Sequence, residues 1–232
     1  MTQALGASLS TYLTGHHLPP SATWLQSFLS TSRTNTPLLA LQKTALFRLL
    51  ASDITTSLSP IGTSSLPDNA ISPTLKELRL PNDSALVLQV LDIEDIGHSR
   101  WSQVENLEAK ERGELTKGRE IVRVVPGDVG ENGALPDARA ADKSAGPHKL
   151  LLQDIKGTKI YAFELSPVEG IDINLGIGAK ILLRGGIVAR GVLLLEPACV
   201  EVLGGRVDIW DKAWREGRKA ALRERVGAGE AH

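Results

Sequence analysis

Five histidines, at positions 16, 17, 98, 148 and 232, and one cysteine, Cys199, are the side chains with which this chain could hold a soft metal or arm a nucleophile. Zinc needs Cys and His at short, regular spacing, and no such cluster occurs. No Gly-x-Ser-x-Gly elbow is present to raise a serine nucleophile. Gly176-Ile177-Gly178-Ala179-Lys180 has the glycines and the lysine of a phosphate cradle, but a strand follows it where a helix N-terminus is required, so it reads as a turn. Leu183-Arg184-Gly185-Gly186 echoes the tail of ubiquitin-like modifiers, yet it lies between strands with no free end. Cys199, alone, has no disulfide partner in the chain and reads as a small apolar group on the last strand. The expectation is a protein that performs no reaction and has no cofactor, metal or small-molecule ligand.

Tyr161 and Phe163 stand two apart in an apolar run and share one face of a strand, the geometry of a base-stacking pair on single-stranded nucleic acid. Aromatics make up only 4% of the chain, and Asp154 and Glu164 flank the pair, so core packing is the preferred reading. A net charge of -1 gives no general attraction to phosphates or acidic membranes. A stand-alone single-stranded DNA-binding protein is kept as the alternative function. No apolar run approaches the ~18 residues of a membrane helix, and Met1 to Leu13 lacks the features of a secretory signal, so a soluble intracellular protein is expected.

The elements that would position these groups are short. Runs at 150–152, 159–163, 181–183, 187–188, 192–195 and 200–203 are each closed by Gly, Pro or charge, as in Gly185-Gly186 and Glu196-Pro197. Such spacing predicts a small antiparallel sheet that closes as a five-stranded barrel, with a two-residue hairpin turn at Lys156-Gly157. Ala85 to Ile93 is apolar except for Gln89 and Asp92, which suits a strand buried on both faces. Ahead of it, residues 1–66 read as a helical unit. Ser21 caps one helix after Pro19-Pro20, Thr36-Pro37 starts another, and Ile54 to Pro67 crosses the surface. Residues 206–232 read as a C-terminal helix and tail, the helix docking on an end of the sheet, with seven Lys/Arg against four Asp/Glu between Arg206 and Val226. The fold class is therefore an all-β OB-fold barrel with an N-terminal helical bundle, a long inserted loop and a C-terminal helix, α+β overall, the barrel spanning 67–205. The insertion, 105–147, carries nine acidic and seven basic residues and one apolar concentration, Ile121, Val122, Val124 and Val125. A stretch of this length inside a compact domain is disordered or functional.

Trp24-Leu25, Leu66-Pro67-Asp68, Ala85 to Val90, Ser102-Gln103-Val104, and above all Gly191-Val192-Leu193-Leu194-Leu195-Glu196-Pro197 with Val200 to Asp208 resemble the RecQ-mediated genome instability protein 1 family. The likeness runs from about residue 20 to 226 and is to the short fungal form, a helical unit plus the first OB-fold. It implies a non-catalytic nuclear subunit of a complex between a RecQ-family helicase and topoisomerase III. The barrel would dock on the topoisomerase, and the insertion would reach its DNA gate, promoting decatenation and double Holliday junction dissolution. Contact with DNA would be indirect or weak, and no membrane is involved. The residues expected to meet the partner are Trp101, Ile121, Val122, Val124, Val125 and Pro126 on the insertion side, and Leu195, Glu196 and Pro197 on the barrel.

Overall fold

A computed structural model describes residues 2–32, 36–113 and 146–229. The helices are α1 (Thr2–Gly15), α2 (Ala22–Thr31), α3 (Leu38–Leu50), α4 (Ile54–Ser57), α5 (Arg100–Glu111) and α6 (Asp208–Gly229). The strands are β1 (Leu78–Arg79), β2 (Ala85–Asp95), β3 (His148–Gln153), β4 (Lys159–Glu164), β5 (Lys180–Arg184), β6 (Ile187–Ala189), β7 (Val192–Leu195) and β8 (Val200–Gly204). They group into two compact units, one of residues up to 96 with 146–214, the other of residues 97–113 with 215–229.

In the first unit the strands run β1-β6-β7-β4-β3-β2-β5-β8. β5 and β6 are two halves of one strand, interrupted only by Gly185-Gly186, whose φ values of 73° and 103° bend the chain. One half pairs with β2 and the other with β7, so the ladder β2-β3-β4-β7-β6/β5 returns to β2 and closes. This is a five-stranded OB-type barrel to which β1 and β8 are added, and the expected α+β architecture is the observed one. Two details differ from expectation. The β4–β7 pair is parallel, because the bent strand intervenes in sequence between them. The β3–β4 connection is five residues long, and the buried Asp154 organises it by accepting from the N–H groups of Lys156 at 3.0 Å and Thr158 at 2.8 Å.

Alternate residues of the long strand β2 enter two different cores. Leu86, Leu88 and Val90 fill the barrel with Leu150, Leu152, Ile160, Ile181, Leu183 and Leu193. Val87 joins Leu182 and Ile155 in a second core with Leu9, Leu13, Phe28, Leu41, Ala45 and Leu49 of the helices. The two polar exceptions in β2 have partners at its faces. Gln89, fully buried, donates to Asp53 at 2.8 Å and to Gln153 at 3.0 Å and accepts from the Ile54 N–H at 3.2 Å. Asp92 accepts from the Trp214 indole at 2.7 Å, fastening the first turns of α6, where Trp210 and Trp214 pack on the barrel core.

Local signals account for most helix starts. Ser21 caps α2 through the Trp24 N–H, and Ser99 caps α5 through the Ser102 N–H. At α3, Pro37 occupies the cap position itself, with no side-chain capping bond. The 54–67 segment crosses the surface in its middle, where Pro60, Ile61 and Gly62 are exposed, but not at its ends. Ile54 and Leu58, 0% and 2% exposed, anchor one end in the helical core, and Leu66, 2% exposed, anchors the other in the barrel core.

In the second unit, α5 is held to the distal part of α6 by ion pairs. Arg223 bonds Glu108, Lys219 bonds Glu111, and Arg218 reaches Gln103 at 3.3 Å. The Arg223 hydrogen bond holds the Glu108 carboxyl below the usual range, overcoming its desolvation. No helix among the described residues is long and apolar enough to cross a membrane.

Candidate docking face and the root of the insertion

The chain leaves the barrel from β2 and re-enters it on the adjacent antiparallel strand β3. Asp95 faces His148 across the ladder, and the Ile96 N–H donates to the Pro147 carbonyl at 3.1 Å. Residues 97–146 therefore form an excursion closed at its base, where a tight turn would have joined the same strands. Glu164 pins the return. Its carboxylate, 2% exposed, accepts from the backbone N–H of His148 at 2.9 Å and of Val168 at 3.0 Å, and it lies 2.5 Å from His148 Nδ1. Three bonds converging on one buried carboxylate make this root rigid.

Beside the root, the outward face of the sheet is apolar. Strand register places Lys149, Phe163, Leu194 and Ile187 in one cross-strand row and Leu151, Tyr161 and Val192 in the next. Most are half-buried, and Tyr161 is 51% exposed. This corrects the expectation that Tyr161 and Phe163 pack in the core: Ile160 and Ala162, the alternate residues of β4, are the ones inside. It also removes Asp154 and Glu164 as acidic neighbours of the pair, since both point inward. The Lys149 ammonium sits 4.5 Å from the Tyr161 ring centroid, occupying the face a base would stack on. Along the β2 side of the same surface run Asp92 and Glu94, so that edge adds no cation for a phosphate strand. An apolar, mixed-charge face of this kind suits a protein partner better than a nucleic-acid strand.

The residues singled out from the sequence fall in different places. Glu196 and Pro197 are exposed just past β7. Leu195, 0% exposed, points into the barrel core, where no partner reaches it. Trp101 is 58% exposed on α5, with its indole donating to Glu105 at 3.0 Å. Ile121, Val122, Val124, Val125 and Pro126 lie outside the described residues. The outward row of Leu151, Val192, Leu194 and Ile187 was missed, although Lys159 at the head of β4, two residues before Tyr161, signals which face meets water. Among the described residues no group of three or more His, Cys, Asp or Glu could hold a metal ion.

A closed five-strand barrel with a helical cover is matched over residues 63–218 by the family model described as RMI1, N-terminal OB-fold domain, and over residues 13–57 by the one described as RMI1, N-terminal helical domain. The chain belongs to the RMI1 family. Among its relatives is RecQ-mediated genome instability protein 1 of Schizosaccharomyces pombe, 31% identical over 221 residues, covering 88% of this chain and 89% of that protein. The Xenopus laevis RMI1 protein is 49% identical over 61 residues, 25% of this chain but 11% of its own length. The Saccharomyces cerevisiae one is 26% identical over 153 residues, 56% of this chain and 63% of that protein. The RMI1 likeness thus spans nearly all of one short relative and about a tenth of a long one.

Proposed function

We propose that this chain acts in genome stability as a non-catalytic nuclear subunit of a RecQ helicase–topoisomerase III complex. In this reading the barrel binds topoisomerase III, and the insertion acts on the enzyme's gate to promote decatenation and double Holliday junction dissolution. The observation that carries it is the insertion's closed, pinned root on a barrel of the RMI1 family: Asp95 opposite His148, with Glu164 holding the return. A segment anchored in this way starts and ends at fixed, neighbouring points of the docking subunit. The apolar face around Phe163 and Leu194, with exposed Glu196 and Pro197, supplies a docking surface, and Trp101, Ile121, Val122, Val124, Val125 and Pro126 supply apolar area on the insertion side.

A gate-acting subunit must bind the open gate better than the closed one. Burying two valine side chains in one state only contributes about 3 to 6 kcal/mol before ordering costs, and a net ~1.4 kcal/mol already shifts the equilibrium tenfold. Removal of residues 110–143 is expected to leave folding and co-purification with topoisomerase III intact while stimulation of decatenation falls. Unchanged stimulation would refute the gate role, leaving a tether. The second reading, a single-strand binder, draws on the exposed Tyr161. It requires DNA affinity that drops steeply with salt and with Tyr161→Ala.

A further inference from the structure

Residues 1–52 contain Arg33, Lys43 and Arg48 and not a single Asp or Glu; Asp53 is the first carboxylate of the chain. In a protein of net charge -1 this is a marked local imbalance. On α3, Leu41, Ala45 and Leu49 are buried, while Leu39 and Phe47 are 63% and 73% exposed with the exposed Lys43 between them at one-turn spacing. The helix that supports the bundle thus offers a second, outward stripe that is apolar and cationic.

Beside it, α2 and the end of α3 enclose an open cleft of about 340 Å³, lined by Trp24, Ser27, Phe28, Thr31, Arg48 and Ser52. The Trp24 and Phe28 rings are parallel, 5.4 Å apart. The Arg48 guanidinium lies over Phe28 at 5.5 Å and donates to the Thr31 hydroxyl at 3.2 Å. Among the described residues these are its contacts, and none is a carboxylate. A guanidinium fixed by a ring and one hydroxyl keeps most of its N–H donors for an incoming anion, and its planar fork matches a carboxylate.

We propose that this cleft and the outer stripe of α3 bind an acidic peptide segment of a partner protein, one that carries a bulky apolar side chain among its carboxylates. A carboxylate forks onto Arg48, and the apolar side chain lies against the half-buried Trp24, which the buried Phe28 supports from beneath. Charge complementarity selects this occupant. A second copy bringing the same face would set Arg48 against its own like charge. A nucleic-acid strand needs a track of cations along its phosphates, and three in 52 residues do not make one.

The test uses the full chain and a fluorescein-labelled peptide of about a dozen residues, built of Asp and Glu around one Phe, read by anisotropy. Saturable binding is expected, lost by about tenfold or more with Arg48→Glu, reduced by less with Arg48→Lys, and weakened when the peptide's Phe becomes Gly. Arg48 is exposed and in the last turn of α3, so Arg48→Glu should lower the melting temperature slightly and keep a cooperative transition, which a circular dichroism melt checks. Three binding results would each overturn the proposal: no binding, binding indifferent to Arg48→Glu in a folded variant, or equal binding of an oligothymidine of the same charge. A dimer in light scattering that Phe47→Ser dissolves would overturn it in favour of self-association.

Discussion

Lys180 is a lysine with no exposed surface, at the point where helix and barrel meet. Its ammonium donates to the Leu50 carbonyl at 2.7 Å, at the end of α3, and to the Gly178 carbonyl at 2.6 Å. Burial lowers its pKa from 10.5 to about 8, against the pull of Asp53 in the other direction. An unfolded chain would hold this proton up to its ordinary pKa, so between pH 8 and 10.5 the unfolded state binds more protons than the folded one. Stability carries the burial cost in full below pH 8 and recovers it as pH rises through that window, by at most about 3 kcal/mol. A neutral amine still has the two N–H groups that the carbonyls need. Urea titrations at pH 7.5 and 10 should therefore show a rise in the parent that is absent from Lys180→Met, compared pairwise to cancel other titrating groups. An equal rise in both would rule out Lys180 as its source.

Closure of the barrel rests on one bent element. β5 and β6 meet different neighbours because Gly185 and Gly186 take positive φ, and a Cβ on Gly185 would overlap the Asn82 side chain. Gly185→Ala is expected to cost about 1 to 3 kcal/mol through backbone strain alone, with the clash added. Gly217 is the contrast, since a Cβ there meets nothing within 4 Å and the residue lies inside α6. Gly217→Ala should gain roughly 0.5 to 1 kcal/mol from helix propensity. Denaturation midpoints moving in the same direction for both variants would contradict this account of the bend.

Two segments of comparable length stand in opposite relation to the molecule. The insertion begins and ends at paired positions of one ladder, so its removal leaves the ladder intact. The N-terminal helices cover Val87, Leu182 and Ile155 and supply Asp53, the Ile54 N–H and the Leu50 carbonyl to the barrel's buried polar groups. A chain beginning at Pro60 would expose three large apolar side chains, each worth about 1.5 to 3 kcal/mol when buried. That loss is of the order of a whole domain's stability, about 5 to 15 kcal/mol. The shortened chain should bind a hydrophobic dye and lose its cooperative urea transition. A sharp transition at the parent's midpoint would mean the helices are an accessory.

Much of this was legible in the residues themselves. Apolar runs broken by glycine and proline specified short strands, Ser21 specified a helix start, and the near-continuous apolar run of β2 specified burial on two sides, because each depends on neighbours within a few residues. What the linear order left open was which of two alternating faces turns inward. In β4 the inward set of Ile160, Ala162 and Glu164 includes a carboxylate, and the outward set includes both aromatics, so hydrophobicity alone chose the wrong side for Tyr161 and Phe163. Glu164 is tolerated inside because three hydrogen bonds converge on it, two from His148 through its N–H and ring and one from the Val168 N–H. Lys180 is tolerated because a helix ending 130 residues earlier presents a carbonyl to it. Burying a charge is decided by partners distant in sequence, and only the folded chain brings them within bonding distance.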